Sequence, residues 1–142
     1  MYSYHGGTGE FMPETILLVD DEPQVVSLVR EMLAREGYTV IGASGGAEAL
    51  DAIKANPDRH LDLLLTDIVM PELNGRELAD RIRELRPGLK VLYMSGFMKE
   101  TILKYYGISI KGIPFLQKPF SRETLRRKIR EVLDAPSVAT AG

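Results

Sequence analysis

The sequence predicts an α/β domain in which one parallel five-stranded sheet carries helices on both faces. Five short apolar runs alternate with five segments whose apolar residues recur at helical spacing. The connections between them are short, as in βαβ units. The length of 142 residues suits one domain, and the net charge of −2 gives no reason to expect non-specific binding to nucleic acid or membranes.

The predicted strands are short apolar runs bounded by polar or turn residues. Residues 63–66 lead into Asp67, and Pro71 then breaks the pattern. Such a run, closed by a turn signal, is typical of a buried central strand in a parallel sheet. The five predicted strands are residues 15–19, 38–41, 63–67, 90–94 and 113–116.

The predicted helices carry an apolar stripe and are bounded by residues that begin or end helices. Pro23 begins the first helix, because its missing N–H costs nothing in the first turn, and Gly37 ends that helix. The fourth helix is short and weakly patterned. Ser121 is a favourable N-cap for the last helix. The five predicted helices are residues 23–36, 45–55, 74–86, 99–106 and 121–133.

These elements predict the flavodoxin-like topology, a doubly wound (βα)5 sandwich with the strand order 2-1-3-4-5. Parallel strands joined by right-handed crossovers leave few other arrangements. We assign residues 13–134 to this domain. We interpret residues 1–12, which lack a periodic pattern, as a vector-derived or disordered leader, and residues 135–142 as a flexible tail.

Charged and hydroxyl side chains follow four of the predicted strands. Asp20 and Asp21 follow the first strand, and the third strand ends at Asp67. Ser95 and Lys118 follow the fourth and fifth strands. The carboxyl ends of parallel strands share one edge of the sheet, and the first and third strands flank the point where the strand order reverses, which is where such sheets bind ligands. We therefore expect three carboxylates, a hydroxyl and an ammonium group to converge on one pocket.

The residue types in this pocket indicate its chemistry. Neighbouring carboxylates repel each other, so a cation must offset their charge. Oxygen ligands suit Mg²⁺, with Mn²⁺ as an alternative, whereas zinc is disfavoured because the sequence has no cysteine and only 2 histidines. Lys118 and Ser95 are then free to bind a phosphoryl group. Asp67 would be the nucleophile, because carboxylates form acyl phosphates.

The same residues give the chain a resemblance to the response-regulator receiver domains of two-component signalling. Each motif alone is weak, but the joint pattern is highly specific and covers residues 14–134. Segments 93–97 and 115–120 are similar to receivers attached to hybrid sensor histidine kinases. The matching motifs are Asp20-Asp21, Asp67 with Met70-Pro71, Ser95-Gly96 and Phe115-Leu116-Gln117-Lys118-Pro119-Phe120.

The resemblance implies a phosphorylation site and a metal site. Asp67 is expected to accept a phosphoryl group from a phosphohistidine of a partner. Asp21 and Asp67 are expected to bind Mg²⁺ with their side chains. In receivers that this chain resembles, the position of Val69 offers its backbone carbonyl to the metal, and that of Asp20 acts largely through water.

The resemblance also implies a conformational switch. Ser95 is expected to bind the phosphoryl group and to move toward it, while Lys118 pairs with the phosphate and precedes a cis bond to Pro119. Phe115 is the expected switch aromatic, which turns inward when Ser95 moves. Two positions depart from the commonest pattern, because Ser95 stands where Thr is frequent and Phe115 where Tyr is frequent.

We expect a signalling domain and not a turnover enzyme in isolation. It would promote its own aspartyl phosphorylation and dephosphorylation, and phosphorylation would reshape the face made by the fourth strand, the fifth strand and the last helix. The chain is either a stand-alone receiver or a domain of a longer protein, such as a hybrid histidine kinase. The expected partners are a histidine kinase or a histidine phosphotransfer domain, an unidentified downstream target and a second copy in a weak homodimer. We expect no direct nucleic-acid partner, no membrane partner and a cytoplasmic location.

Other interpretations of the sequence stay open. A receiver-like module could bind partners without phosphorylation. A phosphatase of the haloacid-dehalogenase type also uses a strand-end Asp with Mg²⁺, but its D-x-D pattern is not matched by Asp20-Asp21-Glu22-Pro23. A Rossmann-type nucleotide site needs a Gly-rich turn after the first strand, which is absent. The last helix presents a basic run that is either a solvated face or a partner-binding surface; this run comprises Arg122, Arg126, Arg127, Lys128 and Arg130.

Overall fold

The computed structural model describes residues 2–5 and 10–136. Its centre is a five-stranded sheet in which every neighbouring pair of strands is parallel. The strands are β1 (Thr15–Val19), β2 (Thr39–Ala43), β3 (Leu63–Asp67), β4 (Lys90–Ser95) and β5 (Phe115–Gln117). Their order across the sheet is β2-β1-β3-β4-β5, which confirms the predicted flavodoxin-like topology.

Five helices alternate with these strands, and their ends agree with the predicted ends to within a residue. Asn74 caps α3 through a capping box with Glu77, and the Ser121 hydroxyl accepts the Thr124 N–H at 3.1 Å to cap α5. No helix in the described residues is both long and apolar enough to cross a bilayer. The helices are α1 (Pro23–Arg35), α2 (Gly46–Ala55), α3 (Gly75–Leu85), α4 (Lys99–Tyr106) and α5 (Arg122–Asp134).

The sheet separates two apolar cores, because successive side chains of a strand point to opposite faces. Ile16 and Leu18 of β1 pack with the buried residues of α1 and α5. Leu17 and Val19 pack on the other face with those of α2, α3 and α4. Every residue of β1 and β3 is buried, as expected for the central strands. Each fully buried leucine contributes about 1.5–3 kcal/mol, so these two cores are the main source of stability.

The amino ends of the strands carry two charged side chains, Arg130 and Lys90, that are held by hydrogen bonds. Arg130 of α5 donates to the Glu14 carboxylate at 2.7 Å and to the Tyr38 hydroxyl at 3.2 Å. The ammonium group of Lys90 donates to the Leu133 and Ala135 carbonyls at 2.5 and 2.6 Å, which places a positive charge at the carboxyl end of α5. These contacts fasten α5 to the amino edge of the sheet.

Strand β5 begins later than the sequence pattern predicts, at Phe115 and not at residue 113. The Ile113 N–H donates to the Ile110 carbonyl at 3.1 Å, so it is occupied in a turn. Pro114 has no N–H to contribute to a ladder. Phe115 is therefore the first paired residue of β5, and Pro114 contributes only its carbonyl, which accepts the Tyr93 N–H at 3.1 Å.

Two strands lie in the segment whose sequence shows no periodic pattern. Tyr2–His5 pairs antiparallel with Glu10–Pro13, and Tyr2 stands opposite Pro13. A backbone ladder between two strands does not require a periodic apolar pattern, so the pattern gave no signal for it. Residues 1 and 6–9 of the predicted leader and residues 137–142 of the predicted tail lie outside the described residues. The vector-derived origin of the leader stays a prediction.

Candidate functional site

The three predicted carboxylates meet at the carboxyl edge of the sheet. Val19 of β1 pairs with Thr66 of β3, so the residues that follow, Asp20 and Asp67, lie side by side. Asp20 is fully buried, Asp67 is buried and Asp21 is exposed. One oxygen from each carboxylate lies within 4.8 Å of those of the other two. In the part of the chain that the structure describes, this is the only such group of metal-ligating side chains.

Lys118 brings one positive charge to this acidic cluster. Its ammonium group donates to Asp20 Oδ2 at 2.6 Å and lies 3.6 Å from Asp67 Oδ2. The other oxygen of Asp20 accepts the Glu22 N–H at 2.9 Å. Asp20 is therefore engaged at both oxygens. The cluster keeps an excess of negative charge, because one ammonium group faces three carboxylates.

Burial and charge shift the pKa values in the cluster. Burial raises the pKa of Asp67 to about 7; Lys118 opposes this shift, and the charges of Asp20 and Asp21 add to it. Burial alone would lower the pKa of Lys118, but its bond to Asp20 and the charge of Asp67 raise it above the usual value. Asp67 is thus a carboxyl group on which negative charge is costly until a further cation arrives.

Ser95 ends β4 and is fully buried beside the cluster. Its hydroxyl oxygen accepts the Phe97 N–H at 3.0 Å. Its carbonyl accepts the Lys118 N–H at 2.8 Å, which joins the ends of β4 and β5. The bond between Lys118 and Pro119 is cis, as the resemblance implied.

The start of α3 packs directly behind Asp67, a contact between two elements that no sequence pattern predicts. The Gly75 N–H donates to the Ile68 carbonyl at 2.8 Å. A Cβ atom on residue 75 would lie 2.2 Å from the Asp67 carbonyl oxygen, so only glycine fits there. Val69, the predicted carbonyl ligand, is half-buried in the loop between Asp67 and this helix.

The same loop contains a strained residue. Glu72 has a φ of 66°, and the Leu73 N–H donates to the Pro71 carbonyl at 2.8 Å. This is a γ-turn with positive φ, which is unfavourable for a residue with a side chain. The turn carries the chain from Asp67 back to the start of α3.

Phe115, the predicted switch aromatic, is the first residue of β5. It is half-buried, and its ring packs against the core on the α2, α3 and α4 side of the sheet. The Lys99 ammonium group, at the start of α4, lies 5.6 Å from the centre of the ring.

Solved structures define the class of protein to which this fold and site belong. The receiver domain of the hybrid histidine kinase CckA is 31% identical and superimposes with a TM-score of 0.69, covering 84% of this chain and 98% of that one. A response regulator receiver protein from Sinorhizobium medicae WSM419 is 28% identical, with a TM-score of 0.72 and coverages of 87% and 96%. The class is the receiver fold, a flavodoxin-like sandwich with an acidic cluster at the point where its strand order reverses.

Sequence comparison identifies the family. The family model described as "Response regulator receiver domain" matches residues 16–130. This chain belongs to the response regulator receiver domain family. Sensor kinase CckA of Brucella abortus (strain 2308) is 36% identical over 121 residues, which are 84% of this chain and 12% of the kinase. The alkaline phosphatase synthesis transcriptional regulatory protein PhoP of Bacillus subtilis (strain 168) is 32% identical over 128 residues, which are 90% of this chain and 52% of that protein.

The family places the chain in two-component signalling. Receiver domains are regulatory units of phosphorelays and not turnover enzymes of the usual kind. They typically use Mg²⁺ at an acidic pocket, and they interact with histidine kinases or phosphotransfer proteins and with downstream effectors. The chain spans about half the length of the Bacillus relative and 12% of the Brucella kinase.

Proposed function

We propose that this chain is a phosphoacceptor receiver in which Asp67 takes a phosphoryl group from the phosphohistidine of a partner. The observation that best supports this proposal is the geometry at the carboxyl edge of the sheet, where the strand order reverses. A buried carboxylate at a strand end has two further carboxylates within 4.8 Å and an ammonium group at 3.6 Å. An isolated structural salt bridge would not need the second and third carboxylates.

The carboxylate cluster fits a divalent cation with oxygen ligands. Asp21 and Asp67 would hold Mg²⁺ with their side chains and Val69 with its carbonyl, whereas Asp20, which is already bonded to Lys118, would act largely through water. When bound, the cation would supply positive charge to the phosphoryl oxygens. Mn²⁺ has the same preference for oxygen and would replace it.

The transfer step uses the residues of this chain in distinct roles. An Asp67 oxygen forms a bond to phosphorus while the bond between phosphorus and the partner's histidine nitrogen breaks, and that nitrogen keeps the electron pair. Lys118 pairs with a phosphoryl oxygen, and the Ser95 hydroxyl donates a hydrogen bond to another. Attack by water on the same phosphorus later breaks its bond to the Asp67 oxygen, which releases inorganic phosphate and returns Asp67 to the free carboxylate; in this way the domain also promotes its own dephosphorylation.

The proposed output is a change of shape on one face of the domain. Movement of Ser95 toward the phosphoryl group would leave room for Phe115 to turn inward. The face made by β4, β5 and α5 would then differ between the two states. The donor is a histidine kinase or a histidine phosphotransfer domain. We also propose a cytoplasmic location, which the lack of cysteine in the sequence fits.

The test is the intact mass of the protein after incubation with Mg²⁺ and acetyl phosphate. The wild-type chain should gain one phosphoryl group, and only in the presence of the divalent cation. Asp67→Asn should gain none. Asp80→Asn, which changes an exposed carboxylate of α3, should behave as wild type and serves as the matched control.

A wild-type chain that gains no phosphoryl group and also binds no beryllofluoride, a phosphoryl mimic, would contradict the proposal. The result would favour a receiver-like module that binds its partner without phosphorylation. Continuous release of phosphate from an ester substrate would instead indicate a phosphatase.

A further inference from the structure

Helix α4 contacts two aromatic rings near the site, those of Phe115 and Phe97, through the residues at its two ends. Lys99, its first residue, lies over the Phe115 ring. Tyr106, its last residue, packs against the Phe97 ring with 5.8 Å between ring centres and 51° between ring planes. These two residues are seven positions apart, so they lie on the same face of the helix. One face of α4 therefore touches the predicted switch aromatic and the loop that follows Ser95.

Phe97 links this helix to the Ser95 hydroxyl. Its backbone N–H donates to Ser95 Oγ, while its ring packs against Tyr106. If Ser95 Oγ moves toward a phosphoryl group on Asp67, the Phe97 N–H must either follow it or lose its acceptor. A movement of the Phe97 backbone changes the position of its ring relative to Tyr106, so the ring pair and the position of Ser95 Oγ are coupled.

Helix α4 exposes most of its side chains to solvent. Ile102 is its buried residue, whereas Leu103 and Tyr105 are 54% and 70% exposed. The two rings of the pair are themselves about half exposed, at 42% for Phe97 and 47% for Tyr106. A half-exposed ring pair is a modest interaction that opens and closes readily.

We propose that the Phe97–Tyr106 ring pair is a restraint that holds Ser95 away from the phosphoryl position and sets the fraction of molecules competent to hold a phosphoryl group. This inference rests on the proposed function and names how that site is regulated. Phe97 and Tyr106 act through Ser95 and are positioning residues. The carboxyl end of α4 would be the first surface to register phosphorylation.

The test measures the affinity of the whole chain for beryllofluoride in the presence of Mg²⁺. A ligand that binds a minor conformation binds more tightly when that conformation becomes more populated. Tyr106→Leu removes the ring and should tighten binding roughly two- to tenfold, which corresponds to the usual strength of an aromatic pair. Phe97→Leu should have the same effect, and the double variant should match either single variant, because both changes remove one interaction.

Two control variants separate the ring pair from general effects on α4. Tyr106→Phe keeps the ring and should bind beryllofluoride as wild type does. Tyr105→Leu changes the neighbouring, more exposed tyrosine, whose ring contacts Lys104 and not Phe97, and should also leave binding unchanged.

The possible outcomes test the ring-pair restraint separately from the phosphoacceptor proposal. Wild-type affinity in Tyr106→Leu, or equal tightening in Tyr105→Leu, would overturn the restraint while the phosphoacceptor proposal stands. Additive tightening in the double variant would also overturn it. Absence of beryllofluoride binding in every form, wild type included, would overturn the proposed function and the restraint with it.

Discussion

The two ends of the sheet hold the same kinds of charged group in opposite arrangements. At the amino end, Glu14 faces Arg130 at 2.7 Å. At the carboxyl end, Asp67 has its cation at 3.6 Å and shares it with Asp20, which is closer at 2.6 Å. Both Glu14 and Asp67 are 5% exposed, and their charged partners differ.

The pKa values follow this difference. Burial works to raise the pKa of both carboxyl groups. For Glu14, burial is the largest single influence, but the hydrogen bonds and positive charges around the carboxylate, those of Arg130 among them, together outweigh it, and the pKa lies below the usual value. For Asp67 the neighbouring carboxylates add to burial, and the pKa rises to about 7. The carboxylate at the amino end of the sheet is thus balanced by positive charge within the chain, whereas the carboxylates at the carboxyl end carry negative charge that a bound cation would balance.

The largest effect on stability is expected where the carboxyl end is most tightly packed. Gly75→Ala should lower the free energy of unfolding by about 3 kcal/mol, because the new Cβ meets the Asp67 carbonyl oxygen at 2.2 Å and backbone must shift. Urea unfolding measures the change.

Gly45→Ala is the matched control for this substitution. Residue 45 is extended, with a φ of 177°, and a Cβ there meets nothing within 4 Å. Its urea midpoint should not fall. An equal loss in both variants would show that the close approach behind Asp67 is not the cause.

The next effect is expected at the amino end. Arg130→Met should cost about 2 kcal/mol of stability, a value below that of a fully buried pair because the arginine is partly exposed to solvent. Phosphorylation of Asp67 should be unaffected, since the two ends are separate. The measurements are urea unfolding and intact mass after acetyl phosphate treatment.

Arg126→Met is the control for the loss of a charge on α5. Arg126 pairs with Glu123 on the exposed side of the helix, and its removal should leave the urea midpoint unchanged. If Arg130→Met left the urea midpoint as unchanged as Arg126→Met, the ion pair at the amino end of the sheet would not stabilise the fold.

A smaller effect of opposite sign is expected in the loop after β3. Glu72→Gly should raise stability by about 1 kcal/mol, because glycine adopts the φ of 66° without steric cost. Thermal unfolding should show a higher midpoint. A lower midpoint would mean that the greater freedom of glycine in the unfolded chain outweighs the relief of strain.

Much of this architecture could be predicted from sequence, because the strands are apolar runs and the helices have clear first and last residues. The convergence of Asp20, Asp67 and Lys118 follows from parallel strands alone. The late start of β5 could be predicted only in part, since Pro114 is visible in the sequence but the hydrogen bond from Ile113 to the Ile110 carbonyl is not. The approach of Gly75 to Asp67 and the Phe97–Tyr106 contact were equally hidden, because both depend on distances between elements.

The balance of charge at Asp67 leads to a pH dependence of stability with a definite sign. The pKa of Asp67 is about 7 in the folded chain, against 3.8 for the ordinary group. Between these values the folded state binds more protons than the unfolded state, so the free energy of unfolding falls as pH rises. Above about pH 7 the ionised Asp67 destabilises the folded state to its full extent, and below about pH 4 this destabilisation is absent.

The most direct test compares the urea unfolding of wild type and Asp67→Asn at pH 5 and pH 8, each with and without Mg²⁺. Without the cation, wild type should lose about 2–3 kcal/mol more than Asp67→Asn between the two pH values. Mg²⁺ should restore most of that loss in wild type at pH 8 and much less in the variant. Equal pH dependence in both proteins, or no effect of Mg²⁺ on wild type, would contradict the claim that the carboxyl end holds charge awaiting a ligand.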